Sequence, residues 1–238
     1  MQPDLLYFLI LSLLYSGLLV VAYKKAEHLN LNLKITLDLA FVLMISGFVG
    51  ARLFHVLYEQ PTLYFEEPLR ILMFWQGGFV FFGGFLAAIG AGALYLRIQE
   101  QPFRYWADFY ADITALGAGL GRLSCYVAGC CYGKPTTFLG LGIHPTQLYS
   151  LAWDTLLSLL LFALAQKQSF ELGKGRLFGV LLIGHGIGRM WIDTLRADFR
   201  GAFFLGQSVS FWIALVLVFF GFVLFLSPSA AVKKIDSP

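Results

Sequence analysis

Apolar residues run in stretches of about twenty along nearly the whole chain, and short polar connectors separate them. Seven candidate spans can be marked: Leu5–Tyr23, Ile35–Tyr58, Ile71–Leu96, Trp106–Val127, Gln147–Ala165, Leu177–Leu195 and Leu205–Leu226. A helix of about 20 residues crosses the hydrocarbon core, and no segments alternate as barrel strands would. The connectors EQPTLYFEEP, RIQEQPFR, KPTTFLGLGIHPT, QKQSFELGKGR and RADFRGAFF are too short to hold a soluble domain. The pattern predicts an all-α integral membrane protein with seven transmembrane helices, residues 1–238 forming a single polytopic domain. The first run lacks a basic segment before it and a small-residue cleavage site after it, so it reads as a retained helix.

Composition agrees: 58% of residues are hydrophobic and 13% charged, and mean hydropathy is +0.74. A soluble domain carries about 25% charged residues. The net charge of +3 matters less than where the basic residues sit. With the N-terminus outside, the inner segments hold Lys24, Lys25, Lys34, Arg97, Arg104, Lys167, Lys174, Arg176, Lys233 and Lys234, ten of the seventeen. The positive-inside rule therefore predicts an N-terminus outside and a cytoplasmic C-terminus. Arg52, Arg122, Arg189 and Arg196 then gather toward the outer leaflet.

A charged side chain within a span costs roughly 2.5–3.5 kcal/mol on insertion scales, so its first reading is functional. Two such arginines, Arg122 and Arg189, suggest a shared anion, and the abundant anion of a bilayer is lipid phosphate. Guanidinium suits it because its planar fork binds two oxygens at once. The competing reading pairs Arg122 with Asp108, Asp112 or Asp193 as internal glue.

Other groups surround these arginines in the sequence. Gly50-Ala51-Arg52 precedes His55 and Tyr58, and WQGGFVFFGGF carries the pairs Gly77–Gly78 and Gly83–Gly84. Such pairs either let helices pack closely or break a helix inside a cavity. Gly117, Gly119 and Gly121 lead up to Arg122, leaving its guanidinium clear of bulk. On one helix, His185, Arg189, Asp193 and Arg196 share a face through their spacing. His144, before Pro145, reads as a cap or loop hydrogen-bonder rather than a catalyst. Cys125, Cys130 and Cys131 make an odd set with no CxxC, a poor disulfide framework and a poor zinc site. They are expected to be small buried residues, with no metal or cofactor. The absence of GxxxxGKS, HExxH and GxSxG motifs weighs against ATP-driven transport, zinc proteolysis and serine hydrolysis.

GARLFHVLY, WQGGFVFFGG, GLGRLSCYVAGCCYG, HPTQLY, GxGRxxxDxxR and the closing LGQ, in this order from about Gly50 to Gln207, resemble bacterial prolipoprotein diacylglyceryl transferases. The resemblance implies a seven-span enzyme of the bacterial cytoplasmic (inner) membrane. It would move the diacylglyceryl group of phosphatidylglycerol onto the lipobox cysteine thiol of a prolipoprotein, releasing glycerol phosphate. It further implies that Arg122 and Arg189 are the family's two essential arginines, that Gly133 is a signature glycine and that Asp108 falls on a family acid. The chain departs from the family pattern at a histidine, replaced by Phe82 before Gly83 and Gly84. It departs also at an asparagine and a glutamate, replaced by Cys125 and Cys130, and at Ser150, Asp193 and His185.

On this reading Arg122 and Arg189 clamp the phosphate, Arg52 or Arg196 adds a contact, and His185 replaces the missing base. Gly83, Gly84, Asp108, Cys125, Cys130, Gly133, His144, Gln147 and Asp193 complete the substrate-binding set. A variant makes Cys130 or Cys125 a covalent carrier, its thiol acidified by Arg122. The expected partners are phosphatidylglycerol or a related anionic phospholipid, a prolipoprotein signal peptide and the bilayer, with no nucleic acid. Three alternatives stay open: transfer of diacylglyceryl to another acceptor, a non-catalytic lipid- or lipoprotein-binding protein, and a small-solute transporter.

Overall fold

Apolar runs without interior prolines fold as helices because in lipid every backbone N–H and C=O must find a partner within the segment. The structure, a computed structural model, describes residues 3–59, 61–198 and 203–227. Its helices are α1 (Pro3–His28), α2 (Leu33–Phe54), α3 (Pro61–Glu66), α4 (Phe81–Ile98), α5 (Phe103–Leu120), α6 (Arg122–Val127), α7 (Thr146–Ala165), α8 (Arg176–Leu195) and α9 (Val209–Leu226). Two small antiparallel hairpins pair β1 (Pro135–Thr136) with β2 (Gly142–Ile143) and β3 (Phe203–Phe204) with β4 (Gln207–Ser208).

Among the described residues four stretches are long and apolar enough to cross a membrane: Leu6–His28, Leu33–Tyr58, Thr146–Ala165 and Val209–Leu226; Gly83–Ile98 is a shorter apolar helix. Their outward faces are greasy, with Leu13, Leu156 and Phe219 each more than 60% exposed. Water would penalise so much exposed apolar surface, whereas lipid accommodates it. Helices α5 and α8 have the length to cross but carry Asp108, Asp112, His185, Arg189 and Asp193.

Three expected spans begin or run differently. Residues 71–80 are not helical throughout but form short 3-10 turns and a loop, so α4 starts only at Phe81. Gly77 and Gly78 take φ of 81° and 78°, a left-handed conformation that only glycine enters freely. The fourth span is interrupted at Gly121, between α5 and α6. Residues 205–208 belong to the second hairpin, so the last helix starts at Val209. Its first turn is capped by Ser208, whose hydroxyl accepts the Phe211 N–H at 3.2 Å. Lys233 and Lys234, placed on the inner side by the charge count, lie outside the described residues.

The chain divides into two compact units, one from residues 19–103 and one from residues 3–18 and 104–227. In the first, α2 and α4 cross closely. A Cβ on Gly84 would come within 2.6 Å of the Gly47 carbonyl, and one on Gly50 within 2.7 Å of the Gly83 carbonyl. Gly83 and Gly84 are thus packing residues, as small residues are at helix crossings in lipid.

In the second unit Ala111, Ala115, Leu157, Leu161, Leu177 and Leu181 of α5, α7 and α8 form a buried core. The Trp153 indole donates to the Gly184 carbonyl at 2.9 Å, and the Ser158 hydroxyl to the Asp112 carbonyl at 2.8 Å. Asp108 is buried and accepts the N–H groups of Gly173 (3.1 Å), Gly175 (2.7 Å) and Phe178 (2.9 Å). It caps the start of α8 from a neighbouring helix, where exposed N–H groups and the helix dipole favour a carboxylate.

Candidate active site

Helix α6 carries Arg122 at its first position and Cys125 a turn further on. Beyond it two left-handed residues, Gly129 (φ 69°) and Cys131 (φ 62°), fold the chain back. The Cys130 N–H then donates to the Cys125 carbonyl at 3.1 Å. A left-handed conformation costs a non-glycine residue about 1–2 kcal/mol, so neighbours must hold Cys131 there. The Thr146 hydroxyl donates to the Cys131 carbonyl, and the Gln147 amide to the Cys130 carbonyl at 2.5 Å. In consequence the sulfurs of Cys125, Cys130 and Cys131 lie within 4.8 Å of one another. All three are free thiols; Cys130 is exposed and the others half-buried, which differs from the expectation of packed core residues.

The next residues bind this loop to the end of α8. Lys134 N–H donates to the Leu195 carbonyl (2.8 Å) and Ala197 N–H to the Tyr132 carbonyl (3.1 Å), with Gly133 opposite Arg196. On the other edge Gly133 N–H donates to the His144 carbonyl at 3.1 Å, and His144 N–H to the Lys134 carbonyl at 3.0 Å. A Cβ on Gly133 would sit 2.5 Å from that His144 carbonyl, so the threading requires glycine. The His144 ring meets the Tyr149 hydroxyl at 3.3 Å.

This ladder gathers Arg122, Arg189 and Arg196 within electrostatic reach of one another, with Cys131 among them. Arg189 reaches the Ser210 hydroxyl at 3.1 Å and Asp193 at 3.8 Å, and Asp193 accepts the Ser208 hydroxyl at 2.6 Å. Arg196 leaves the helical face because α8 ends at Leu195. Its guanidinium instead grips Asp198 through two bonds of 2.8 and 2.5 Å. Arg122 is half-buried and, among the described residues, makes no hydrogen bond or ion pair. Tyr7, near the start of α1, also lies within electrostatic reach of Arg122 and the thiols. Hydrogen bonds from Cys125 and Cys130 hold the Cys131 thiol well below the ordinary range, and the guanidinium groups of Arg196 and Arg122 add to this. The same sharing pushes the Cys130 thiol up.

His185 does not join the Arg189–Asp193 ladder. Its Nδ1 lies 2.9 Å from Oδ1 of Asp154 on α7, a buried carboxylate. Sequence reasoning missed Asp154, although a single acid inside an apolar 20-residue stretch was itself a flag. It also left out Tyr7 of α1 and Thr146, and named Cys131 only as a packed residue, because the fold-back at Gly129 and Cys131 is not visible in the spacing. The glycines before Arg122 serve packing: Gly119 faces the Leu151 carbonyl and Thr155 of α7, and Gly117 faces Leu18.

One candidate of the same unit lies away from this cluster. Asp108, at the cap of α8, lies twelve helical positions, about 18 Å, before the end of α5 at Leu120, beyond which α6 opens with Arg122. Arg52 belongs to the other compact unit, as do Gly83 and Gly84. It is 7% exposed, and loop carbonyls take all five of its N–H donors. Nε donates to Ile71 (3.2 Å), Nη1 to Gly77 and to Gly78 (3.2 Å), and Nη2 to Arg70 (2.6 Å) and Met73 (3.3 Å). The rings of Tyr64 and Phe79 flank it at 5.4 and 6.0 Å.

Long apolar helices and the gathering of Arg122, Arg189 and Arg196 mark a helical membrane protein with a candidate polar site. Residues 6–227 match the family model described as prolipoprotein diacylglyceryl transferase, and the chain belongs to that family. Among its relatives is a protein of Aromatoleum aromaticum, 32% identical over 91% of this chain and 86% of its own length. One of Nitrosomonas europaea is 33% identical over 79% of this chain and 71% of its own. One of Bordetella avium is 31% identical over 85% of this chain and 81% of its own. All three are named phosphatidylglycerol–prolipoprotein diacylglyceryl transferase.

Proposed function

We propose that this protein transfers the diacylglyceryl group of phosphatidylglycerol to the lipobox cysteine of prolipoproteins in the bacterial inner membrane. Family membership supplies the reaction class, and the observation that carries it to named residues is the gathering of Arg122, Arg189 and Arg196, with Arg122 unpartnered among the described residues. The acceptor sulfur attacks the glyceryl carbon next to the phosphate, a C–S bond forms, and the C–O bond breaks to release glycerol phosphate. Charge grows on the departing phosphate, so guanidinium groups aimed there stabilise the transition state more than the ground state. The low dielectric of the site strengthens that effect. His185 takes the thiol proton, and Asp154 orients the ring and stabilises the imidazolium, the role a buried carboxylate plays beside a catalytic histidine.

The seven spans of this reading are α1, α2, α4, α5, α7, α8 and α9, the N-terminus outside. Phosphatase fusions in the 128–145 connector should be active and those in the 166–176 connector inactive; the reverse pattern would invert the topology. The function is tested by rescue of a strain depleted of its own diacylglyceryl transferase. Growth is expected with the native sequence and not with Arg122→Ala or Arg189→Ala. Failure of the well-expressed native protein to rescue would overturn the assignment.

A further inference from the structure

We propose that Cys125, Cys130 and Cys131 form a three-thiolate zinc site whose fourth position receives the acceptor thiol. The metal part stands on sulfur geometry; the acceptor part rests on the transferase reading above. Zinc binds thiolates at about 2.3 Å, which puts the sulfurs of a tetrahedral site about 3.8 Å apart. Sulfurs already within 4.8 Å of one another need only small rotations to close on one ion. The loop is held for this from outside: Thr146 and Gln147 fix two of its carbonyls, and the Tyr132–Lys134 pairing fixes its exit.

The ligand set also fits the chemistry. Catalytic zinc sites use three protein ligands and leave one position open, whereas structural ones are closed by four. No fourth ligand joins the three cysteines among the described residues, and Cys130 is exposed. A thiol that coordinates zinc is deprotonated outright. Three thiolates around a divalent cation leave one surplus negative charge, beside which Arg122 and Arg196 stand. Such an electron-rich centre holds a fourth thiolate loosely and leaves it nucleophilic.

In the step itself the acceptor S–H bond breaks as the sulfur binds zinc, and the proton passes to solvent on the exposed Cys130 side. The zinc-bound thiolate attacks the glyceryl carbon, the C–S bond forms, and the C–O bond breaks with its electron pair on the phosphate oxygen. The departing phosphate monoester takes up a proton from solvent, and the thioether, a weak ligand, leaves the metal. No oxidant or reductant is consumed.

The test uses the full-length protein, purified in detergent after growth with added zinc. Metal analysis should give about one zinc per chain in the native protein, falling below about a tenth in Cys131→Ser and in Cys130→Ser. Because Cys130 is exposed, Cys130→Ser guards against a mere folding failure, checked by thermal melting. Cobalt added to chelator-stripped protein should give the intense near-ultraviolet absorption of thiolate–cobalt charge transfer, absent in both variants. No bound metal and no such band, or a disulfide between two of the cysteines, would overturn the site while leaving the transferase reading intact. If zinc binds but stripping it leaves thiol transfer unchanged, the acceptor part is overturned. Zinc binding in a protein that cannot transfer would instead sink the functional assignment and keep the metal site.

Discussion

Two arginines in this protein, Arg52 and Arg122, look alike in the sequence: each follows glycines within an apolar stretch, where a cation is expensive. Arg52 spends every donor on backbone carbonyls of the turn-rich segment before α4. Arg122 has no hydrogen bond or ion pair among the described residues and faces other cations. The first arrangement organises a loop, since a fully used guanidinium has nothing left for a ligand. The second leaves like charges that attract an anion. The cost of burying a charge signals that something compensates it, and the occupancy of its donors tells whether the protein or a substrate does so.

The comparison is broken most sharply by removing each cation. Arg122→Ala should slow diacylglyceryl transfer by roughly 10²–10³-fold, about 2.7–4 kcal/mol, with the thermal midpoint unchanged. A large fall in midpoint with normal turnover per folded molecule would make Arg122 structural. Arg52→Ala should do the opposite, costing about 3 kcal/mol of stability because buried carbonyls lose a charged donor. Arg52→Lys should restore only part of it, three donors replacing five; thermal unfolding in detergent measures both. Asp154→Asn should lower transfer by about 10²-fold through a misdirected His185, and an unchanged pH–rate profile would remove the pair from the mechanism. Gly84→Ala should cost about 1–3 kcal/mol by pushing α2 and α4 apart, with little effect on transfer by the folded fraction.

The hydropathy pattern alone gave the helical membrane class, because lipid dictates that apolar runs be helical. It misjudged residues 71–80, where composition is apolar but Gly77 and Gly78 turn the chain around Arg52. Arg122 and Arg189 were legible as costly charges. Their company was not: the ladder between residues 132–134 and 195–197 joins segments some sixty positions apart through backbone atoms, which no side-chain motif encodes. The cysteines illustrate the same limit. At positions 125, 130 and 131 they share no helical face, and only the left-handed turns at Gly129 and Cys131 bring their sulfurs together. The helical face drawn through His185, Arg189, Asp193 and Arg196 keeps only Arg189 and Asp193 together: His185 turns to Asp154 of α7, and α8 stops one residue short of Arg196.

The pairing of Tyr132–Lys134 with the end of α8 makes the thiol loop and the helix bearing Arg189 a single mechanical part. Any tilt or slide of α8 would carry the three sulfurs along with Arg189. On the transferase and zinc proposals, the gap between nucleophile and leaving group would thereby be kept like the spacing on a ruler.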